Sequence, residues 1–261
     1  MRVHLLPATA AALLSLLMLS ATLLAACGDP VTSTPSPEVV ETAEAEARTV
    51  TITAPISTTP ESDGEEADPI SLDGRLFGGG ATGVILAHMR PADQTSWYPF
   101  AQLLADTGQY TVLTFDFRGY GESTGEKQFD RIDTDLEAAY RFMRDELGMD
   151  KIFFVGASMG GTASLVVGAR VNVAGVVSIS SPDQFPPLDA KETVGGITAP
   201  KLFVTSEDDV PAARAQEEFW ALARPPKSQH IYEGDAHGTA IFDTPNGPDL
   251  EHRIMDFLAS N

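Results

Sequence analysis

A serine flanked by glycines, a histidine late in the chain and a pair of adjacent aspartates are the residues through which this sequence could do chemistry. The serine is Ser158, in the run Gly156-Ala157-Ser158-Met159-Gly160, a G-x-S-x-G pattern. It follows the apolar stretch KIFFV at 151–155 and precedes a helical run at 159–169. A strand-to-helix turn that sharp holds its serine in a strained backbone, and small neighbours keep the turn free of clashes. The same turn sets Ser158 at a helix N-terminus, where free N–H groups and the dipole favour developing negative charge. That arrangement suits attack on a carbonyl. A hydroxyl is a weak nucleophile until a base takes its proton, so a histidine must reach it.

Other chemistries find less support. Gly78-Gly79-Gly80 lacks a following Lys-Ser/Thr and reads as a turn before a strand, not a phosphate loop. Asp130, Asp133 and Asp135 open a helix, where they complement its dipole. No cluster has metal-ligand spacing, and no cofactor is implied. Cys27 is the single cysteine, which excludes an internal disulfide framework. With 17 Lys+Arg against 37 Asp+Glu the formal charge is −20, so an extended patch for a nucleic-acid backbone is not expected.

These residues need a rigid frame. Past residue 69 short β-branched or aromatic runs, 83–87 (GVILA), 110–115 (YTVLTF), 151–155 (KIFFV), 173–179 (VAGVVSI) and 201–205 (KLFVT), suit strands buried on both faces of a parallel sheet. A further strand is expected at 228–232. Helices are expected at 97–106, 130–147, 159–169, 212–223 and 248–258. The alternation predicts an α/β sheet covered on both faces. Trp97 and Tyr98, at a helix start, read either as pocket lining or as packing.

With these elements in place the chain resembles the α/β-hydrolase superfamily over most of residues 70–261. Besides the serine turn, four segments fall in the family's order: His88-Met89-Arg90 after GVILA, the D-x-R-G-x-G-x-S loop from Asp116 to Ser123, Ser206-Glu207-Asp208-Asp209 after KLFVT, and Gly234-Asp235-Ala236-His237-Gly238 after the last strand. The order Ser, Asp, His is the one this fold uses. The resemblance implies an α/β-hydrolase fold, a mostly parallel central sheet with helices on both faces. The segment 180–199 leaves room for a short flap in place of a full helical lid.

The resemblance also implies roles. Ser158 is the expected nucleophile. Of the five histidines, His4 lies in the N-terminal apolar region, His88 in the oxyanion loop, His230 in a strand and His252 in a helix, which leaves His237 as the base. Aligning Ser206 with the usual glycine of the family's acid loop picks Asp209, with Asp208 as the alternative. The oxyanion hole draws on the N–H of Met159 and that of Arg90 or Met89. Met89 stands where the family usually has glycine. The charge of Arg90 could meet an anionic substrate or form a salt bridge with a nearby acid.

The N-terminal end carries a different signal. Residues 5–26 are uncharged and rich in Leu and Ala, and the run ends in Leu24-Ala25-Ala26-Cys27, which resembles a bacterial lipobox. On that reading residues 1–26 are a lipoprotein signal peptide and Cys27 carries the lipid. The alternative is a transmembrane segment, since the run is long enough to span a bilayer. Residues 28–68 hold ten acidic residues against Arg48, with no aromatic, and are expected to be a disordered linker. The hydrolase domain is then 69–261.

The sequence therefore predicts an exported serine hydrolase, lipid-anchored at the outer face of a bacterial membrane. It would cleave a carboxylic ester or related acyl bond of a small-molecule substrate through an acyl-enzyme. An acyltransferase or peptidase on the same triad, and a non-catalytic binding module on a hydrolase scaffold, are the alternatives.

Overall fold

The computed structural model describes residues 47–55 and 69–261. Their centre is an eight-stranded sheet in the order β1-β2-β4-β3-β5-β6-β9-β10. The strands are β1 (Arg48–Ala54), β2 (Ile70–Gly78), β3 (Thr82–Ala87), β4 (Tyr110–Phe115), β5 (Lys151–Ala157), β6 (Gly175–Ile179), β9 (Lys201–Ser206) and β10 (Lys227–Tyr232). A two-stranded hairpin of β7 (Gln184–Phe185) and β8 (Leu188–Asp189) sits between β6 and β9 in the chain. From β4 to β10 every neighbouring pair is parallel, whereas β1 and β2 run antiparallel to their partners. The expected mostly parallel α/β sheet is observed.

The central strands are continuous apolar runs because both of their faces are covered. Successive side chains point to opposite faces. Val84 and Leu86 of β3 thus pack in one layer with Leu104 of α1 (Tyr98–Asp106) and Leu250 and Ile254 of α6 (Gly247–Ser260). Ile85 and Ala87 face the other layer, with Leu136 of α2 (Ile132–Arg141), Val166 of α3 (Met159–Gly168), Val194 of α4 (Ala190–Val194) and Phe219 of α5 (Val210–Leu222). Helix α3 is buried along its whole length, which explains why its sequence, MGGTASLVVG, has no polar face.

The sheet begins earlier in the chain than the sequence predicts. Residues 48–54, expected in a disordered linker, form the edge strand β1, paired with β2 over seven residues from Arg48–Leu76 to Ala54–Ile70. Their sequence, RTVTITA, alternates, and Ile52 and Ala54 are buried while the threonines face outward. Strand β2 was not expected either. Its polar residues Asp73 and Arg75 fall on alternate positions of a strand covered on one face. The signal peptide, Cys27 and the rest of the expected linker lie outside the described residues. Among the described residues no helix is long and apolar enough to cross a membrane.

The remaining helices lie close to expectation. The run expected at 130–147 divides into a 3-10 turn, α2 and a closing π turn at Phe142–Glu146. The short segment between β6 and β9 contains the β7–β8 hairpin and α4, a flap and not a helical lid. Trp97 and Tyr98 pack: Trp97 is fully buried near Phe100 and Phe242, and Tyr98 tilts against Phe77.

Candidate active site

Strand β5 ends and α3 begins within a single residue, and that residue is Ser158. Its backbone has φ +47° and ψ −114°. Residues other than glycine hold such angles at a cost of roughly 1–3 kcal/mol, sustained by surrounding structure. Here the Ser158 N–H donates to the Ile179 carbonyl of β6 (2.8 Å) and the Ser158 carbonyl accepts from Thr162 (2.9 Å). Close approach fixes the flanking glycines. A Cβ on Gly156 would lie 2.3 Å from the Gly160 carbonyl oxygen, and one on Gly160 would lie 2.2 Å from that of Ala87. The G-x-S-x-G pattern is thus the packing requirement of a turn pressed against the end of β3.

Asp209 and His237 come from the ends of β9 and β10. The parallel pairing of these strands continues past their last residues: Glu207 donates its N–H to Tyr232 and Asp208 to Gly234, both at 2.9 Å. The Ser206 hydroxyl donates to the Ala236 carbonyl at 2.7 Å. These bonds zip the two loops together and bring Nδ1 of His237 to 2.7 Å from Oδ2 of Asp209. Asp208 is exposed on the same turn. With Nδ1 engaged by a carboxylate, Nδ1 is the protonated nitrogen and Nε2 is left as the acceptor.

The loop after β3 carries His88, Met89 and Arg90. His88 is fully buried. Its Nε2 accepts the Phe117 N–H (3.1 Å) and its Nδ1–H donates to the Met89 carbonyl (2.9 Å), so the imidazole is neutral and braces this loop to the one after β4. Burial pushes its pKa down, only partly offset by the bond to Met89. Met89 replaces a glycine of the family pattern without strain. Among the described residues only Ser158 and Ser180 are non-glycine residues with positive φ. Met89 lies against Gly238, where a Cβ would meet its sulfur at 2.6 Å. Met159, first in α3, has no intrahelical acceptor for its N–H. Among the described residues the N–H groups of Met89 and Arg90 have no backbone acceptor. Arg90 forms no salt bridge among the described residues; its guanidinium lies over Phe129, 5.3 Å from the ring centre.

The D-x-R-G-x-G-x-S loop supports the site from below. Asp116 accepts from the Gln94 N–H (2.8 Å) and Nε2 (3.0 Å). Arg118 is buried in an ion pair with Asp135 (2.6 Å). Asp135 therefore does more than complement a helix dipole, and Asp133 pairs with Arg170 (2.6 Å). The sequence places His88 in the loop after β3 and Ser206 at the acid loop, but not the bonds by which His88 braces Met89 to Phe117 and Ser206 ties Ala236. Among the described residues no group of side chains could hold a metal ion. A cavity of about 660 Å³ lies at the β1 edge against α2 and includes none of Ser158, Asp209 or His237. A smaller groove of about 340 Å³ is lined by Arg90, Phe129, Pro182, Gln184, Phe185 and Pro186.

The chain has the α/β-hydrolase fold. A family model described as alpha/beta hydrolase fold matches residues 83–203. Two uncharacterized proteins of Mycobacterium tuberculosis, from strains CDC 1551 / Oshkosh and ATCC 25618 / H37Rv, are each 26% identical over 222 residues, 73% of this chain and 74% of theirs. Among solved structures, an esterase of Pyrococcus furiosus superposes with a TM-score of 0.68 at 21% identity, covering 82% of this chain and 92% of that one. A monoacylglycerol lipase of Paleococcus ferrophilus does so with 0.62 at 18% identity, covering 72% and 98%. The family match and these structures agree with the observed α/β-hydrolase fold.

Proposed function

We propose that this protein is a serine hydrolase of carboxylic esters, with Ser158 as nucleophile, His237 as base and Asp209 as the acid that orients it. The observation that carries this reading is the 2.7 Å contact of His237 Nδ1 with Asp209 Oδ2, in a fold whose Ser158 holds a strained turn at a helix start. The esterase and lipase among the structural neighbours favour esters as substrates. In the reaction Ser158 Oγ attacks the acyl carbonyl as its proton passes to His237 Nε2. The N–H of Met159, with that of Arg90 or Met89, stabilises the oxyanion. The C–O bond to the alcohol breaks, and the alkoxide leaves with the proton from Nε2. Water, deprotonated by the same nitrogen, then cleaves the acyl-serine and frees the acid. Asp209 stabilises the imidazolium without accepting its proton. A fluorophosphonate probe tests the reading, since it labels an activated serine without knowledge of the substrate. Labelling that maps to Ser158 is expected, and an unlabelled folded protein would overturn it.

We further propose that the hydrolase is exported and held at the outer face of a bacterial membrane through lipid on Cys27. The support is the sequence alone, the apolar run 5–26 ending at the one cysteine of the chain.

A further inference from the structure

Arg90 and Lys127 are two of the cations that, among the described residues, meet no carboxylate, in a chain of net charge −20. Both lie on aromatic rings instead. Lys127 Nζ sits 4.1 Å from the centre of the Tyr120 ring, and Arg90 stacks on Phe129, whose ring meets Phe185 edge-on at 5.1 Å. The positive charge of Arg90 reaches Tyr120 as well: burial raises the phenol's pKa and Arg90 draws it back down.

This patch adjoins the candidate nucleophile. The Tyr120 hydroxyl donates to the sulfur of Met159 (3.9 Å), the residue directly after Ser158. Pro182, on the far wall of the 340 Å³ groove, is held by the Thr162 hydroxyl (2.9 Å) from the first turn of α3. The groove wall contains one cation and no carboxylate. Of the nearby acids, Asp130 pairs with Arg131 (3.6 Å) and Asp183 with Lys191 (2.8 Å), Asp189 of the flap accepts from the Gln184 amide (2.8 Å) and the Lys191 N–H (2.9 Å), and Glu122 and Glu126 lie exposed on the loop. Charges beyond about 8 Å are largely screened at physiological ionic strength. The wall of the groove is thus positive in a protein whose net charge is −20.

We propose that the groove between Arg90 and the β7–β8 flap selects esters that also bear an anionic group, with Arg90 on its wall as the specificity-determining cation and Lys127, outside the groove on the Tyr120 ring, as a supporting charge. This rests on the hydrolase reading and adds the substrate class. Guanidinium is suited to the role because it binds a carboxylate through two parallel N–H bonds while its face stays on the aromatic ring.

The test uses two pairs of chromogenic esters matched in length. One pair differs by a terminal carboxylate on the acyl chain (4-nitrophenyl hemiglutarate against 4-nitrophenyl hexanoate). The other differs by a carboxylate on the phenol (4-acetoxybenzoate against its methyl ester, followed by absorbance of the phenol). The reading is the kcat/KM ratio within a pair, so any loss common to both members cancels. In at least one pair the charged ester is expected to be favoured about tenfold, and the ratio to fall several-fold at 1 M salt. Lys127→Gln should lower that ratio, and R90Q should lower it further. Equal turnover of charged and neutral members in both pairs, or a ratio indifferent to salt and to both substitutions, overturns the proposal while leaving the hydrolase reading intact. Failure to turn over any of the four esters counts against the hydrolase reading and removes this proposal with it.

Discussion

Nδ1 of His237 lies 2.7 Å from Oδ2 of Asp209, while the neighbouring Asp208 is turned to solvent and spends its N–H on Gly234. Only one of two adjacent, chemically identical side chains can fix the imidazole tautomer. Asp209→Asn is therefore expected to lower kcat by about 10³–10⁴, in line with loss of the orienting acid. Asp208→Asn should change it less than about threefold. Steady-state kinetics on a 4-nitrophenyl ester separates the two, and equal losses would remove Asp209 from its assigned role.

The proposed chemistry of Ser158 and the strain of its backbone can be pulled apart. Ser158→Ala and Ser158→Gly should both abolish probe labelling and ester turnover. Their stabilities should differ. At φ +47° alanine keeps the strain that glycine relieves, so the glycine variant is expected to be the more stable by about 1 kcal/mol. Urea denaturation of the two variants reads the difference, and a more stable alanine variant would mean that this turn is not held in the strained form.

The parallel strands were legible in the sequence because burial on both faces leaves an unbroken apolar run, as in YTVLTF, which is a strand over Tyr110–Phe115 as expected. The turn at Ser158 was legible for a related reason, since close packing that leaves no room for a Cβ at Gly156 or Gly160 writes those glycines into the sequence. The antiparallel edge was not legible. In β1 and β2 only alternate residues are buried, and the period-2 signal in RTVTITA was hidden by the acidic composition around it. Neither was the roles of His88 and Ser206, whose partners are the backbone carbonyls of Met89 and Ala236 and the Phe117 N–H. A carbonyl has no residue type, so no spacing rule announces it.

His88 should make stability depend on pH in a defined direction. Burial holds its folded pKa below that of the unfolded chain, which lies near ~6.5. The unfolded state therefore binds this proton more readily. The contribution of neutral His88 is complete above about pH 6.5 and is lost as the pH falls below it. His88→Leu leaves the buried N–H of Phe117 without its acceptor and should cost about 1–3 kcal/mol at pH 7.5. The gap between wild type and variant, from denaturant midpoints, should narrow from pH 7 to pH 5.5. A constant gap would show that His88 does not stay neutral in the fold.

The proposed lipid attachment at Cys27 predicts behaviour that the folded domain alone would not give. One acyl chain binds a membrane only marginally, and two hold it stably. The mature protein should remain in the membrane fraction through a high-salt wash and yield an N-terminal peptide with lipid mass on Cys27. Cys27→Ser should prevent both, because serine supplies no sulfur for the thioether. An intact N-terminus retaining residues 5–26 would favour the transmembrane alternative, and a soluble, unlipidated protein would favour ordinary secretion.

The edge strand β1 makes the last prediction. Ile52 is 2% exposed, pairs with Leu72 in register and packs in the layer that holds α2. It also lines the 660 Å³ cavity, so space vacated there is open to partial relaxation. Ile52→Ala should therefore cost about 2–3 kcal/mol, toward the lower end of buried Ile→Ala changes. The adjacent Thr51 points outward, and Thr51→Ala should stay within about 0.5 kcal/mol. Were 48–54 a solvated linker, the two substitutions would be indistinguishable, because neither side chain would leave water on folding. The difference between two neighbouring residues in one urea titration thus decides whether the sheet begins at Arg48 or at Ile70.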